Sequence, residues 1–260
     1  MARRHQAQVQ AEWVRFSPGV LHGLSNAIEA LSDAGDGVII QTPVYYPFKM
    51  IIEAANRVVI ENPLIEKEGT YEMNLEDLQH KHVSFMSLPN QVKLKALVFI
   101  SPSKTFNLAG LQTSAVIIPD EAFRLAYDKA ASHSRTTGIN VFGETALVAA
   151  YDQCEYYVDE LMSYLTKNLE FVRQTLQTRF PQLSLFEPQG TYLLWIDFRT
   201  SGIPLKELES FMSQKARLAV DAGGWFGTAG EGFIRLNIAC PKSQLEAAFN
   251  RLETAFKSVK

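Results

Sequence analysis

A lysine with two neighbouring hydroxyl groups follows a stretch of apolar residues near the middle of the chain. Residues 94–100 predict a buried strand that runs directly into Ser101-Pro102-Ser103-Lys104. Because open α/β sheets bind ligands beyond the carboxyl ends of their strands, we expect this lysine at a ligand-binding edge. An amine that is partly removed from water there can attack an aldehyde. The pattern alone favours the alternative, a solvent-exposed lysine in a loop.

A second candidate site is the start of a predicted helix. Apolar residues recur at helical spacing over residues 20–31, and Ser17-Pro18-Gly19 stands just before them. The first amide groups of a helix have no partner inside it, and the helix dipole attracts anions to them. The backbone N–H groups of Val20 and Leu21 could therefore hold a phosphate. The alternative is a capped helix start that binds nothing.

Two further side chains could contact a ligand. Tyr45 comes shortly after a predicted strand, at the same edge of the sheet, where its ring could stack on a flat heteroaromatic molecule. Arg235 is the one charged residue of the apolar stretch 233–237, and its planar guanidinium could bind a carboxylate through two hydrogen bonds. The alternatives are ordinary packing for the tyrosine and a structural ion pair for the arginine.

The elements that must position these residues alternate between helix and strand in the first part of the chain, which is typical of an α/β sheet. The strands predicted there are 38–40 (buried and parallel), 58–60, 94–100 and 115–118, and the helices are 20–31, 47–56 and a region from 144 to 179 that is two helices or one bent helix. The later part predicts strands at 191–198 and 232–237 and helices at 205–215 and 243–259. Ser243 and Glu246 stand at the spacing of a capping box at the start of the last helix. We therefore expect an α/β domain of residues 1–159 and a smaller α+β domain of residues 160–260.

The composition limits the possible functions. The chain has 260 residues, 47% of them hydrophobic, which is enough for one large core or two smaller ones. Its formal charge of −3 contains no run of like charges, so we expect neither nucleic acid nor a membrane as partner. The first 13 residues lack the apolar stretch of a secretory signal, which favours the cytoplasm. Cys154 and Cys240 lie far apart, and His80 and His82 have no third ligand, so no metal site is expected.

The candidate residues occur in one order, and that order resembles a known family. The run Ser-Pro-Ser-Lys-Thr-Phe-Asn-Leu-Ala-Gly-Leu-Gln at 101–112 resembles the cofactor-lysine segment of the cystathionine β-lyases of the PatB and MalY type. These are pyridoxal 5′-phosphate (PLP) enzymes of fold-type I within the class I and II aminotransferase superfamily. The resemblance implies that residues 1–159 form an incomplete three-layer α/β/α large domain that binds PLP. Four other stretches agree with the same family, namely 16–20, 36–45, 190–197 and 233–241. The resemblance covers nearly the whole chain and is most specific around Lys104.

The resemblance implies a role for each candidate residue. Lys104 would bind PLP covalently and then move protons, Tyr45 would stack on the pyridine ring, and Arg235 would bind the α-carboxylate of an amino-acid substrate. The groups that would hold the cofactor phosphate are Ser101, Ser103 and the backbone amides of Val20 and Leu21. The implied reaction is an α,β-elimination that gives a thiol, pyruvate and ammonia, carried out by a homodimer.

The chain also departs from the family pattern, because it is shortened internally and at its N-terminus. Residues 74–78 and 80–83 abut directly, so the intervening Asn-Pro loop and Ser-Asp-Glu strand end of the family are missing. The missing aspartate pairs with the pyridine nitrogen in the family, and losing such a charged hydrogen bond would slow catalysis by roughly ten- to a hundredfold. Two alternatives therefore stay open: a non-catalytic remnant that acts as an interaction or regulatory protein, and a PLP aminotransferase.

Overall fold

The computed structural model describes residues 8–72 and 96–258, and these residues form two compact units. The first unit contains 8–39, 47–60 and 96–159, and the second contains 40–46, 61–72 and 160–258. The predicted division at residue 159 stays a prediction, and the units differ from it by placing two earlier segments with the C-terminal part. The histidines and the abutting flanks noted above lie outside the described residues. None of the helices in the described part is long and apolar enough to cross a membrane.

Both units combine short strands with helices. The strands are β1 (Val14–Ser17), β2 (Gly37–Ile40), β3 (Val58–Glu61), β4 (Ile65–Lys67), β5 (Thr70–Glu72), β6 (Val98–Ile100), β7 (Ser114–Ile117), β8 (Ser184–Phe186), β9 (Leu193–Asp197), β10 (Asp221–Ala222) and β11 (Phe233–Asn237). The helices are α1 (Val20–Leu31), α2 (Pro47–Ala54), α3 (Glu121–His133), α4 (Val141–Gln153), α5 (Glu155–Arg179) and α6 (Lys242–Lys257). This mixture of elements is the α/β class expected from the sequence.

A three-stranded sheet with the order β1-β7-β6 forms the centre of the first unit. Strand β7 is buried along its whole length, because it carries small and β-branched residues and pairs with a neighbour on each side. Helix α1 packs on this sheet at Gly23, where an added Cβ would lie 2.9 Å from the ring of Phe99. The glycine therefore lets the helix approach the strands closely.

Strands β2 and β3 form a separate pair. The Val58 amide donates to the Asp36 carbonyl and the Asn62 amide donates to the Ile40 carbonyl, each at 2.8 Å. In both bonds the donor comes the same number of residues after the acceptor. The two strands are therefore parallel, as predicted for residues 38–40. The predicted burial holds for Ile40, which is buried, and is wrong for Ile39, which is 65% exposed.

The second unit contains a four-stranded antiparallel sheet with the order β10-β11-β9-β8. Alternation along the strands gives the sheet two different faces. Leu194, Ile196 and Ile234 point to a hydrophobic core that also contains apolar residues of α5 and α6. The opposite face carries the cross-strand neighbours Trp195 and Arg235. The core therefore fixes the sheet, and its second face is available for a ligand site.

Three details of the second half differ from the sequence prediction or refine it. The long helical region from residue 144 is two helices, with the break at Cys154, so one of the two predicted forms is confirmed. The segment Leu205–Lys215 is a mixture of 3-10, α and π turns rather than one helix. The predicted capping box of Ser243 and Glu246 is wrong, because Pro241 is the N-cap and α6 begins one residue before the serine.

We expect Asn168→Ala to lower the free energy of unfolding of the second unit by about 1–3 kcal/mol. The buried Asn168 amide donates to the carbonyls of Ile238 (2.9 Å) and Cys240 (3.0 Å), so α5 is joined to the end of β11. Urea denaturation followed by tryptophan fluorescence measures the loss. Thr166→Ala is the control, since the exposed hydroxyl bonds only within the helix. Equal midpoints for both variants would contradict this assignment.

Candidate active site

The pairing of β7 places two predicted site segments at one edge of the first sheet. Strands β1 and β6 are both antiparallel to β7, so they run in the same direction. Ser17 pairs with Ser114 and Ile100 pairs with Ala115, so both outer strands end at the same level. Neighbouring strands lie about 4.8 Å apart, which separates β1 from β6 by roughly 10 Å at this edge. Helix α1 and the lysine turn both begin there.

The start of α1 provides amide groups that no N-cap side chain occupies. Gly19 is the N-cap residue, with φ 97° and ψ 156°, and it makes no side-chain cap. Backbone of this conformation is nearly restricted to glycine. The first amides of the helix, which include those of Val20 and Leu21, are therefore not covered by a capping residue. This geometry suits an anion.

Hydrogen bonds hold the turn that carries the two serines. The Ser101 hydroxyl donates to the Thr113 carbonyl at 2.8 Å and accepts from the Ser103 amide at 3.2 Å. The two serine hydroxyl oxygens lie 2.9 Å apart. Lys104 follows in the same turn with an exposed side chain, which agrees with the alternative of a solvent-exposed lysine rather than with an amine partly removed from water. Among the described residues, none forms a hydrogen bond or ion pair with its amine. The amine is therefore accessible to a reactant.

Aromatic contacts fix the loop that follows Lys104. The Phe106 ring stacks on Tyr157 with the centroids 5.9 Å apart, and it meets the edge of Tyr151 at 5.8 Å. Farther along the loop, the Asn140 side chain donates to the Leu111 carbonyl at 2.8 Å. The same asparagine caps α4. The lysine turn is thus attached at its end to two helices of the first unit.

Tyr45 and Arg235 lie near each other in the second unit. The Arg235 guanidinium carbon is 5.9 Å from the centre of the Tyr45 ring and 4.6 Å from that of Phe226. A backbone bond from the Val44 amide to the Phe226 carbonyl (3.0 Å) fixes the segment that carries the tyrosine. Both predicted ligand contacts therefore belong to one local arrangement.

Arg235 is also part of an ion pair, which is the alternative that its sequence pattern left open. Its Nε donates to Asp221 Oδ2 at 2.8 Å and its Nη2 donates to the same oxygen. Asp221 is the cross-strand neighbour of Arg235 on the two-residue strand β10. No described residue accepts from Nη1, so one edge of the guanidinium can still bind a ligand carboxylate.

A cavity of about 350 Å³ adjoins Arg235, and its aromatic wall was not predicted from the sequence. Trp195 Nε1 donates to the Tyr71 hydroxyl at 3.2 Å, and the Tyr71 ring lies 5.3 Å from that of Phe186. Burial raises the pKa of Tyr71, so its hydroxyl stays protonated at neutral pH and keeps a proton to donate. The period-2 pattern of β9 could have indicated Trp195, since this residue is the cross-strand partner of Arg235 and lies on the same face of the sheet.

Phe226 also lines this cavity. It lies in a turn between two glycines whose backbones approach each other closely. An added Cβ on Gly223 would come within 2.0 Å of the Gly230 carbonyl oxygen, and one on Gly230 within 2.1 Å of the Gly223 oxygen. Neither position has room for a side chain.

The predicted site residues thus fall into two groups. Ser101, Ser103, Lys104, Val20 and Leu21 belong to the first unit, where they lie at one sheet edge. Tyr45 and Arg235 belong to the second unit, where they border one cavity. Their joint action on one ligand stays a prediction.

Comparison with known proteins assigns the chain to a family. The profile described as "Aminotransferase class I and II" matches residues 1–86 and 82–252, and the chain belongs to this family. Cystathionine beta-lyase PatB of Bacillus subtilis is 32% identical over 98% of the chain and 80% of its own length. Protein MalY of Escherichia coli is 26% identical over 99% of the chain and 80% of its own length. The PatB alignment spans 311 positions although the chain has 260 residues, and the two profile segments meet at 82–86, next to the predicted internal shortening.

Solved structures agree with this assignment. The crystal structure of cystalysin from Treponema denticola, which contains a pyridoxal 5′-phosphate cofactor, is 30% identical with a TM-score of 0.95, over 100% of this chain and 80% of that one. A PLP-bound putative aminotransferase from Clostridium difficile is 31% identical with a TM-score of 0.93, over 98% of this chain and 80% of that one. The predicted fold-type I scaffold is therefore confirmed.

We expect Gly19→Ala to destabilise the protein by about 1–3 kcal/mol, because alanine is strained at this backbone conformation. The thermal stabilisation that inorganic phosphate gives to the wild type should also decrease, since the first amides of α1 would shift. Differential scanning calorimetry with and without phosphate measures both effects. Gly138→Ala is the matched control, because that residue has no positive φ and an added Cβ would meet nothing within 4 Å. If both variants unfold like the wild type, the constraint at Gly19 is absent.

Proposed function

We propose that this protein is a PLP-dependent carbon–sulfur β-lyase, which eliminates a thiol from cysteine S-conjugates and leaves pyruvate and ammonia. The observation that carries the proposal is the exposed Lys104 in a serine-containing turn at the sheet edge where α1 begins. The 32% identity to a cystathionine β-lyase over nearly the whole chain supports the same activity.

The residues of the first unit fit PLP. Its phosphate carries charge that the uncovered amides of α1 and the hydroxyls of Ser101 and Ser103 can hold. Its aldehyde requires an accessible amine, which Lys104 supplies. Tyr45 of the second unit is 40% exposed, so part of its side chain is accessible for stacking on the pyridine ring. When bound, PLP withdraws electrons from the Cα of the substrate, and the protein contributes orientation and proton transfer.

Each of the chain's own groups would have a separate task. Arg235 Nη1 would bind the α-carboxylate of the substrate, while Asp221 holds the other side of the guanidinium in place. Lys104 Nζ would take the proton from Cα, and the thiolate would leave from Cβ. The aromatic residues around Arg235 would exclude water from the bound substrate.

We also propose that the protein forms a homodimer. Helix α4 exposes several large apolar side chains: Val141 is 75% exposed, Phe142 79% and Val148 51%. Large apolar side chains that are exposed on one helix favour a surface for association. The cytoplasm is the proposed location, because Cys154 and Cys240 are both free thiols, as expected in a reducing compartment.

Lys104→Ala should abolish covalent binding of PLP and reduce pyruvate release by about 10²–10⁴-fold, because the amine that binds the cofactor and moves the proton is lost. Visible absorbance after addition of PLP, followed by borohydride reduction and peptide mass mapping, measures the attachment. Lys129→Ala, which removes an exposed lysine of α3, should behave like the wild type. A label on another lysine would contradict the proposed role. Amino transfer to a keto acid without pyruvate release would favour the aminotransferase alternative.

Phe142→Glu should weaken self-association by at least about tenfold, since two carboxylates would be placed in an apolar interface. Analytical ultracentrifugation over a range of concentrations measures the dissociation constant. Leu125→Glu, at an exposed apolar residue of α3, is the control. A wild-type protein that sediments as a monomer would rule out the homodimer.

A further inference from the structure

One row of side chains crosses the second face of the four-stranded sheet. Phe186, Trp195, Arg235 and Asp221 are successive cross-strand neighbours on β8, β9, β11 and β10. The row thus begins with two aromatic rings and ends with an ion pair. A molecule whose carboxylate binds Arg235 Nη1 can extend along the row only toward the rings, because Asp221 occupies the other side of the guanidinium.

The β4–β5 hairpin (Ile65–Glu72) covers the aromatic end of this row. Besides the hydrogen bond and ring contact of Tyr71, a second attachment holds the hairpin: Arg199 donates to Glu66 at 2.9 and 3.1 Å. Arg199 also pairs with Asp197 of β9, and its guanidinium carbon lies 4.6 Å from the centre of the Phe233 ring. The hairpin is therefore fixed at both of its strands to the same sheet that carries Arg235.

Few charged side chains line the cavity. The described residues that line it include one cationic side chain, Arg235, and one acidic side chain, Glu187. Glu187 is paired with Arg173, and Arg235 would be neutralised by the substrate's own carboxylate. The rest of the lining is largely apolar, with Tyr71, Trp195 and Phe226 as its largest members. Among the described lining residues, a second charged group on the ligand would find only Glu187, whose carboxylate is already paired with Arg173.

We propose that the β4–β5 hairpin is a specificity element, and that it selects cysteine S-conjugates with an apolar or aromatic S-substituent over those that carry a second charged end. Sulfur makes favourable contacts with aromatic rings, and an apolar substituent gains from burial against them. Tyr71 forms the wall, and the Glu66–Arg199 pair positions it. The inference rests on the proposed lyase function and adds the substrate class.

The experiment compares three substrates with the PLP-loaded protein: S-benzyl-L-cysteine, S-methyl-L-cysteine and L-cystathionine, with pyruvate release coupled to lactate dehydrogenase. For the wild type, kcat/KM should be highest for S-benzyl-L-cysteine, at least about tenfold above L-cystathionine. Tyr71→Ala should reduce that ratio about tenfold, because the ring contact is lost. Glu66→Ala, at an exposed position, should reduce it about threefold by loosening the hairpin. Tyr156→Ala, at an exposed tyrosine of α5 in the other unit, should leave the ratio unchanged.

A binding measurement separates this inference from the lyase proposal. The acid 3-(benzylthio)propanoate has the carboxylate and the apolar thioether but no amine, so it cannot react with PLP. Calorimetric titration should give a dissociation constant that rises about tenfold in Tyr71→Ala and in Arg235→Ala. If no S-conjugate yields pyruvate, the lyase function fails, and the titration still tests the hairpin. A wild-type preference for L-cystathionine, or unchanged ratio and affinity in the hairpin variants, would overturn the inference.

Discussion

The antiparallel pairing of β7 with β1 and β6 is the constraint on which the proposed cofactor site depends. It makes the two outer strands run in the same direction, although they are more than 80 residues apart in sequence. The amides of α1 and the amine of Lys104 reach one edge only because both strands end there. A shift of the register by one residue would turn every side chain of β7 to the opposite face and remove this coincidence.

In the second unit, the cationic side chain of Arg235 lies in a mostly apolar setting. One face of its sheet packs on α5 and α6, and this core makes the strands rigid enough to present a ligand site on the other face. The Asp221 carboxylate compensates the charge of Arg235 on one side and leaves the other side available. Without that partner, the desolvated guanidinium would have to be neutralised by the ligand alone.

Sequence patterns predicted the parts of the molecule that have a strong local signal. The buried strand β7, the start of α1 after Gly19 and the turn at Lys104 all follow from apolar periodicity and turn residues. The hairpin β4–β5 was missed because its strands have three residues each and are rich in charge, so no alternation is visible. An ion pair of Arg235 was one of the alternatives, but its partner Asp221 was not predictable, since that residue lies on a two-residue strand formed by tertiary contacts. The predicted capping box failed because Pro241 sets the helix start first.

The reciprocal contact between Gly223 and Gly230 has a consequence for how the aromatic wall behaves. Each backbone fills the space that a side chain of the other would need, so the turn between them has a single close-packed arrangement. Phe226 projects from this turn, and its carbonyl accepts the amide that fixes the segment of Tyr45. The ring therefore keeps its position before any substrate arrives. At the proposed site, little ordering entropy would therefore be lost on binding, and affinity would be gained through preorganisation rather than through additional contacts.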